Sequence, residues 1–447
     1  MGLTGIQIFK MLPKTNCGEC GIPTCLAFAM NLAAGKAELD ACPYVSEEAR
    51  AELAEASAPP IRSVSVGAGE TEVKPGGETV LFRHEKTFYN PPALACLLTP
   101  QTENIDLEIA WFNAMKYERV GLVLRPDMFC LMDNGDGSEF EALVDKVVAG
   151  TDASLCLMSE AVETLRKVAT KTKQFKPLLY AATTDNVEEM GKLALELSLP
   201  LAVKGQGFDE VVGLTQKLVG MGLKDLVIDT GARELKAAFV DSISARRAAL
   251  LNQNRDLGFP TIVFPALMTK DYLEEALMAA TFIAKYGGFV VLSTLRGETI
   301  FPLLLERLNI YTDPQRPMMV TEGIYEIGTP TPDSPVLVTS NFSLTYFTVA
   351  GEVESSRVPS WLLIKDTEGL SVLTAWAAGK FSGDDVGLFV KKSGIEEKVK
   401  HKALVIPGYA ASIAGDLEEE LPGWSVKIGP REAAHLPKYL KEWGAEA

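Results

Sequence analysis

Cys17, Cys20 and Cys25, with Cys42 following and Pro43 directly behind it, constrain this chain more than any other feature. The spacing is C-x2-C-x4-C and then a return after sixteen residues. Three thiolates so close in sequence can wrap one face of a metal centre, and the fourth closes it from beyond a helical segment. Gly18, Gly21 and Pro23 keep the loop TNCGECGIPTC out of regular structure. Its backbone amides are then free to point at cluster sulfides, which stabilises a reduced, more negative cluster. Cys25 opens an apolar run, CLAFAMNLAAG, which reads as a helix stopped by Gly35. The pattern predicts an iron–sulfur cluster of the [4Fe–4S] type on these four cysteines. A structural zinc site remains the alternative, although four-cysteine zinc sites usually bring two CxxC pairs and only one is present. The other cysteines, Cys96, Cys130 and Cys156, lie far apart and read as buried core thiols. That is not a secreted disulfide framework.

The chain has 447 residues, which suggests about three domains. Its formal net charge of −16 opposes binding to nucleic acid or to an anionic membrane, while allowing docking to basic patches on proteins. No apolar run approaches the roughly eighteen residues of a membrane-spanning helix. The start, MGLTGIQIFK, lacks the basic-then-apolar pattern of a signal peptide, so the expected location is cytoplasmic.

Composition and periodicity divide the chain into a cluster domain at 1–56, a Pro/Gly/Ser-rich linker at 57–79, a central domain at 80–310, a proline-rich linker at 311–335 and a last domain at 336–447. The first linker would tether the cluster domain or lie flat on its neighbour. In the central domain, eight strand-like runs precede amphipathic helix-length segments: ALACLLT (93–99), RVGLVLR (119–125), ASLCLM (153–158), PLLYAAT (177–183), PLAVKG (200–205), DLVIDT (225–230), PTIVFPA (260–266) and GFVVLST (288–294). Eight such pairs predict a TIM (β/α)8 barrel, with a doubly wound sheet as competitor. The last domain repeats the alternation with VLVTS, WLLIKD, ALVIPG and WSVKIG and reads as a small doubly wound α/β fold. The expected class is therefore multidomain α/β.

Ligand sites of a barrel lie at the C-terminal strand ends. Arg125, Asp127, Thr184, Asp185, Lys204, Asp229, Thr230 and Arg296 are expected there, a mixture too generic to name a reaction. No HExxH, GxSxG or P-loop occurs, and the barrel reads as scaffold. Ser138 and Glu141 suggest a helix capping box, and DNGDG (133–137) a capping turn. In the last domain the strand ends carry Thr339, Ser340 and Asn341, then 369–374, then Pro407, Gly408 and Tyr409, then 429–435. Such small and hydroxyl-bearing turns admit a large flat or phosphorylated ligand, and they are also ordinary turn chemistry. His84, His401 and His435 read as structural or solvated.

The stretches TGIQIFKMLPKTNCGECGIPTCLAFAMNLAAGK and GLSVLTAWAAGKFS, with the order of the three domains, resemble the large (gamma) subunit family of the corrinoid/iron–sulfur protein over the whole chain. The resemblance implies a methyl carrier of the reductive acetyl-CoA (Wood–Ljungdahl) pathway in anaerobes. A cobalt corrinoid in the Co(I) state would accept a methyl from methyltetrahydrofolate through a separate methyltransferase. The methyl-Co(III) form would pass it to acetyl-CoA synthase/CO dehydrogenase. The [4Fe–4S] cluster would return accidental Co(II) to Co(I) with one electron. The implied partners are a small (delta) subunit sharing the corrinoid in a heterodimer, the methyltransferase, the synthase and a reductive activator of corrinoid proteins. The implied corrinoid contacts are Thr339, Ser340, Tyr346, Leu370, Ser371, Val372, Leu373, Thr374 and Ala433, with Thr374 near the lower cobalt face. The chain lacks a D-x-H-x-x-G motif, so the corrinoid would be base-off with no protein lower ligand. A barrel methyltransferase with an accessory cluster and a ferredoxin-like electron carrier are the competing readings.

Overall fold

The computed structural model describes residues 4–443, apart from 34–36, 38, 47–48, 51–52, 54–58, 120 and 314–316. Its contacts group the chain into two compact units. One comprises 1–81, 88–115 and 126–311, and the other 82–87, 116–125 and 312–447.

The N-terminal segment of the first unit is built on two short helices, Gly5–Met11 and Cys25–Ala33. Thr4 and Gln7 form a reciprocal capping box that starts the first helix. Gly5 lets the helices touch, because a Cβ there would stand 2.3 Å from the Met30 sulfur. Ile8, Leu12, Phe28 and Ala29 form a small core that also encloses Cys25 and Cys42.

In chain order the strands begin with β1 (Ala93–Leu98), a short pair β2 (Tyr117–Arg119) and β3 (Leu122–Leu124), and β4 (Met128–Met132). They continue with β5 (Ser154–Met158), β6 (Leu178–Ala182), β7 (Leu201–Lys204), β8 (Leu226–Asp229), β9 (Thr261–Val263) and β10 (Gly287–Leu292). Strands β1, β10, β9, β8, β7, β6, β5 and β4 close, in that spatial order, into a parallel barrel. Alternate residues fill it: Ala93 and Ala95, Met128 and Cys130, Cys156 and Met158, Phe289 and Val291. The TIM-barrel expectation holds, and Cys96, Cys130 and Cys156 are all fully buried.

One predicted barrel strand was misassigned. RVGLVLR (119–125) belongs to the β2–β3 hairpin of the second unit, and β4 takes its place in the barrel. Both runs are apolar, so periodicity could not rank them. The difference is that Leu122 and Val123 stay exposed around a turn at Gly121 (φ 75°), whereas Met128 to Leu131 are buried. Asp127 consequently precedes its barrel strand, at the opposite end from the expected face, where it accepts the Leu94 amide at 2.8 Å and the Arg307 guanidinium. Arg125 precedes that strand as well.

The stretch expected as the first linker is mostly part of the barrel. Residues 57–58 lie outside the described residues. Val64 and Val66 are buried with the barrel interior, Val66 pairs with Val73, and Gly67 N–H donates to the Lys176 carbonyl at 3.0 Å just before β6. The segment plugs the N-terminal end of the barrel. Glu78 then pairs with Arg246 at 3.2 Å in a buried bridge under the Phe88 and Tyr286 rings. The capping box expected at Ser138 is displaced too. Asp136 is the N-cap of helix Gly137–Gly150, accepting from the amides of Ser138 and Glu139, while Glu141 pairs with Lys167 and Lys171.

The second unit contains β11 (Gly323–Ile327), β12 (Val336–Ser340), β13 (Ser360–Lys365), β14 (Ala403–Ile406) and β15 (Ser425–Ile428). They form one sheet in the order β11-β13-β12-β14-β15, parallel except for the antiparallel edge β11. Part of the expected second linker (311–335) is therefore a strand, held by backbone pairing that its prolines do not interrupt. Helices Gly383–Ser393 and Ala414–Glu420 cover one face through Val386, Phe389, Val390 and Leu417. Helices Ser343–Ser356 and Leu436–Glu442 cover the other through Val353, Leu436 and Leu440. This is the doubly wound architecture anticipated from the alternation.

Candidate functional site

The four N-terminal cysteines belong to one small substructure. Cys25 and Cys42 are buried, Cys20 is half-buried and Cys17 is exposed. The loop before Cys25 curls through left-handed positions at Gly18 (φ 75°) and Gly21 (φ 77°), where no side chain would be blocked but an L-residue would be strained. Asn16 Oδ1 accepts the Cys25 amide at 2.8 Å and fixes the start of the second helix. Arg50 donates to the Cys42 carbonyl at 3.4 Å. The Tyr44 hydroxyl donates to Glu19 at 2.8 Å, and that bond, followed by the negative charge of Glu19, pushes the phenol above its ordinary pKa. Gly35, expected to end the helix, lies outside the described residues. Among the described residues no three His, Cys, Asp or Glu side chains crowd together as they would around a single ion. A curled loop bearing three thiols and a returning segment bearing a fourth supply the donor types of an iron–sulfur cluster.

At the C-terminal end of the barrel, most polar groups are paired with one another. Asp229 is buried, accepts the Tyr180 hydroxyl at 2.6 Å and forms a salt bridge with Arg233 at 2.7 Å. It also takes the Gly231 amide at 2.8 Å. Glu275 accepts the Ser293 hydroxyl at 2.8 Å, and Glu108 the Leu295 amide at 2.9 Å, so two buried carboxylates hold the turn after β10. Burial holds the Glu275 carboxyl above its usual range. Lys204 and Thr230 rim a broad open depression, whereas Thr184 and Asp185 are surface residues and Arg296 stacks on Tyr272.

The second unit presents something different. In the order β13-β12-β14-β15, the connection from β12 runs to β13 on one side and that from β14 to β15 on the other, so the crevice between the C-terminal ends of β12 and β14 is a topological switch point. A cavity of about 310 Å³ opens there. Its walls are mostly apolar, among them Leu337, Val349, Val405 and Leu436, with Thr339, Thr345, Thr348, Ser371, Tyr409 and Arg431 as the polar minority. Three large side chains of the lining are well exposed: Leu344 is 55% exposed, Leu373 46% and Tyr409 45%, the last with its hydroxyl donated to Glu432 at 2.8 Å.

Of the residues named for this site from sequence, Thr339, Ser371, Val372, Leu373 and Ala433 line the cavity. Ser340, Tyr346, Leu370 and Thr374 do not. The Ser340 hydroxyl is fully buried at the end of β12 and has no hydrogen-bond partner. Tyr346 packs on Tyr325 with ring centres 5.0 Å apart. The Leu370 carbonyl accepts the Thr367 hydroxyl, and Thr374 meets Ser371 at 3.0 Å on the surface. Asn341, offered as a ligand group, is wholly used in structure. Its amide binds Asp366 at 2.8 Å, and its oxygen takes the Thr367 and Gly369 amides at 3.0 Å, fixing the turn that presents Ser371. Leu344, Thr345, Thr348 and Val349 were missed, because they reach the crevice only through the way the helix Ser343–Ser356 packs on the sheet. The histidines lie elsewhere: His401 bonds the Ser334 carbonyl at 2.9 Å before β14 begins, His84 stacks on Phe82, and His435 is outside the lining.

A profile for the CO dehydrogenase/acetyl-CoA synthase delta subunit matches residues 63–440, and one for a putative Fe–S cluster matches residues 12–44. The chain is 46% identical, over 99% of both chains, to the corrinoid/iron–sulfur protein large subunit of Moorella thermoacetica. It is 33% identical to the acetyl-CoA decarbonylase/synthase complex subunit gamma of Methanopyrus kandleri, over 99% of this chain and 98% of that one. The gamma subunit of Archaeoglobus fulgidus is 35% identical over 98% of each chain. No helix among the described residues is long and apolar enough to cross a membrane.

Proposed function

Because the chain belongs to the family of corrinoid/iron–sulfur protein large subunits and acetyl-CoA decarbonylase/synthase gamma subunits, we propose that it is a methyl carrier that binds a corrinoid and a [4Fe–4S] cluster. When bound, the corrinoid supplies a cobalt centre that takes a methyl group from methyltetrahydrofolate and yields it to acetyl-CoA synthase, and the cluster supplies the single electron that restores over-oxidised cobalt.

The observation that carries this reading is the cavity at the switch point, coupled in one chain to a four-cysteine domain. Its apolar walls suit the ring edge and appended groups of a large, mostly apolar cofactor. The exposed Leu344, Leu373 and Tyr409 would lose water on its arrival. Ser340, fully buried and outside the lining, would act from behind the cavity wall at the end of β12 rather than by direct contact. Ser371 holds Thr374 at the surface turn, from which Thr374 would face the lower side of the cobalt. Tyr346 and Leu370 would act from behind, by supporting the helix and turn that bear the direct contacts. Cys17, Cys20, Cys25 and Cys42 would hold the cluster, and no catalytic residue of the chain's own is required. The partners in this reading are a small (delta) subunit, the methyltransferase, the synthase and a reductive activator.

Protein purified anaerobically should contain about four iron atoms per chain, as expected of a four-thiolate cluster, and cobalt with corrinoid absorption bands. Iron without cobalt defeats the proposal. Cys20→Ala should spare methyl transfer from pre-reduced protein and abolish reductive reactivation. Equal loss of both would refute the division of roles.

A further inference from the structure

We propose that the Tyr44–Glu19 hydrogen bond is a latch that holds the fourth cysteine ligand against the other three and sets how slowly the cluster is lost. This rests on the assignment of a cluster to the four cysteines. Glu19 lies inside the CxxC turn, between Cys17 and Cys20, and Tyr44 lies two residues beyond Cys42. Their 2.8 Å bond spans 25 residues of sequence. It ties the three-cysteine loop directly to the returning segment. The Arg50 contacts, by comparison, stay within the return, joining Asp40 and the Cys42 carbonyl. The Asn16 contact stays within the loop. Pro43 fixes the backbone dihedral between the two positions, so a held Tyr44 transmits its place to Cys42.

Physically, a latch of this kind raises the effective concentration of the last thiolate at a cluster that has momentarily released it. Tyr44 is 52% exposed, so water competes for the bond and the effect is moderate. Glu19 acts here as an acceptor, so a neutral acceptor of the same shape should serve.

The test follows iron transfer from full-length, anaerobically purified protein to a coloured ferrous chelator. Tyr44→Phe and Glu19→Ala should each release iron about threefold to tenfold faster than the parent, as expected for one lost, partly solvated hydrogen bond. The double variant should be no faster than either single one, and Glu19→Gln should stay near the parent rate. Glu19→Ala reaches the same bond from the other side if Tyr44→Phe assembles poorly. A parent-like rate in both single variants, multiplying effects in the double variant, or a Glu19→Gln rate equal to that of Glu19→Ala would overturn the latch. A parent chain that binds no iron would instead overturn the cluster assignment on which the latch rests.

Discussion

The chain contains two sets of parallel strand ends, and they spend their polar residues differently. At the barrel face, Asp229, Arg233 and Tyr180 satisfy one another, and Glu108 and Glu275 are consumed in holding the turn after β10. At the switch point of the last sheet, apolar side chains stand exposed and a buried hydroxyl lacks a partner. Burying a polar group without a partner costs stability, and so does exposing Leu344 and Leu373 to water. On the proposed reading the paired face serves as scaffold and the unfinished one as the receptor, although both sit where α/β folds place ligands.

The sharpest way to break this contrast is Arg233→Ala. It leaves Asp229 as a buried, unpaired carboxylate, which should cost about 3 kcal/mol of stability. Thermal unfolding should register that loss, while cobalt content per folded chain stays unchanged. A specific loss of cobalt would make the barrel face part of the receptor. Next in size, Leu344→Asp places a charge on the cavity rim at an exposed position. It should reduce cobalt retention by about tenfold or more, since desolvating a carboxylate against an apolar ligand is expensive, with iron content and unfolding temperature unaltered.

Ser340→Ala removes an unsatisfied buried hydroxyl that lies outside the cavity lining. It should stabilise the chain by about 1 kcal/mol with cobalt retention unchanged, and paired unfolding and cobalt-release measurements read both. The smallest effect concerns pH. Burial raises the folded-state pKa of Glu275, so the native chain keeps a proton that the unfolded chain gives up above about pH 4.3. The contribution of this carboxyl to stability is therefore greatest below the unfolded-state value and declines as pH rises towards the raised one. The parent should gain in unfolding temperature relative to Glu275→Gln as pH falls through that window. A difference constant with pH would remove burial of charge from the account.

Much of the fold and part of the site were legible in one dimension. The strand–helix alternation depends on local apolar periodicity, and so the barrel and the doubly wound domain could be anticipated. The same periodicity could not separate RVGLVLR from MFCLM, because which apolar run enters a closed barrel depends on its neighbours in space. Linker composition misled for a related reason. Val64, Val66 and 323–327 sit among prolines and glycines, yet long-range packing and strand pairing order them.

Among the candidate ligand residues, Thr339 at the end of β12 and Ser371 and Leu373 in the connection beyond β13 were named from the sequence, and they do line the cavity. The helix residues Leu344, Thr345 and Thr348 could not be, since their approach depends on how Ser343–Ser356 lies across β12 and β14.

The sequence by itself determined the four cysteines, because ligand chemistry is carried by residue type and short spacing. It also determined the succession of cysteine-rich segment, barrel and last α/β sheet, because local hydrophobic patterning survives without tertiary context. Only the tertiary structure decided which polar groups cancel each other and which are left open. That depends on contacts such as Tyr180 with Asp229, or Tyr44 with Glu19, whose members lie 49 and 25 residues apart and meet only once the chain has packed.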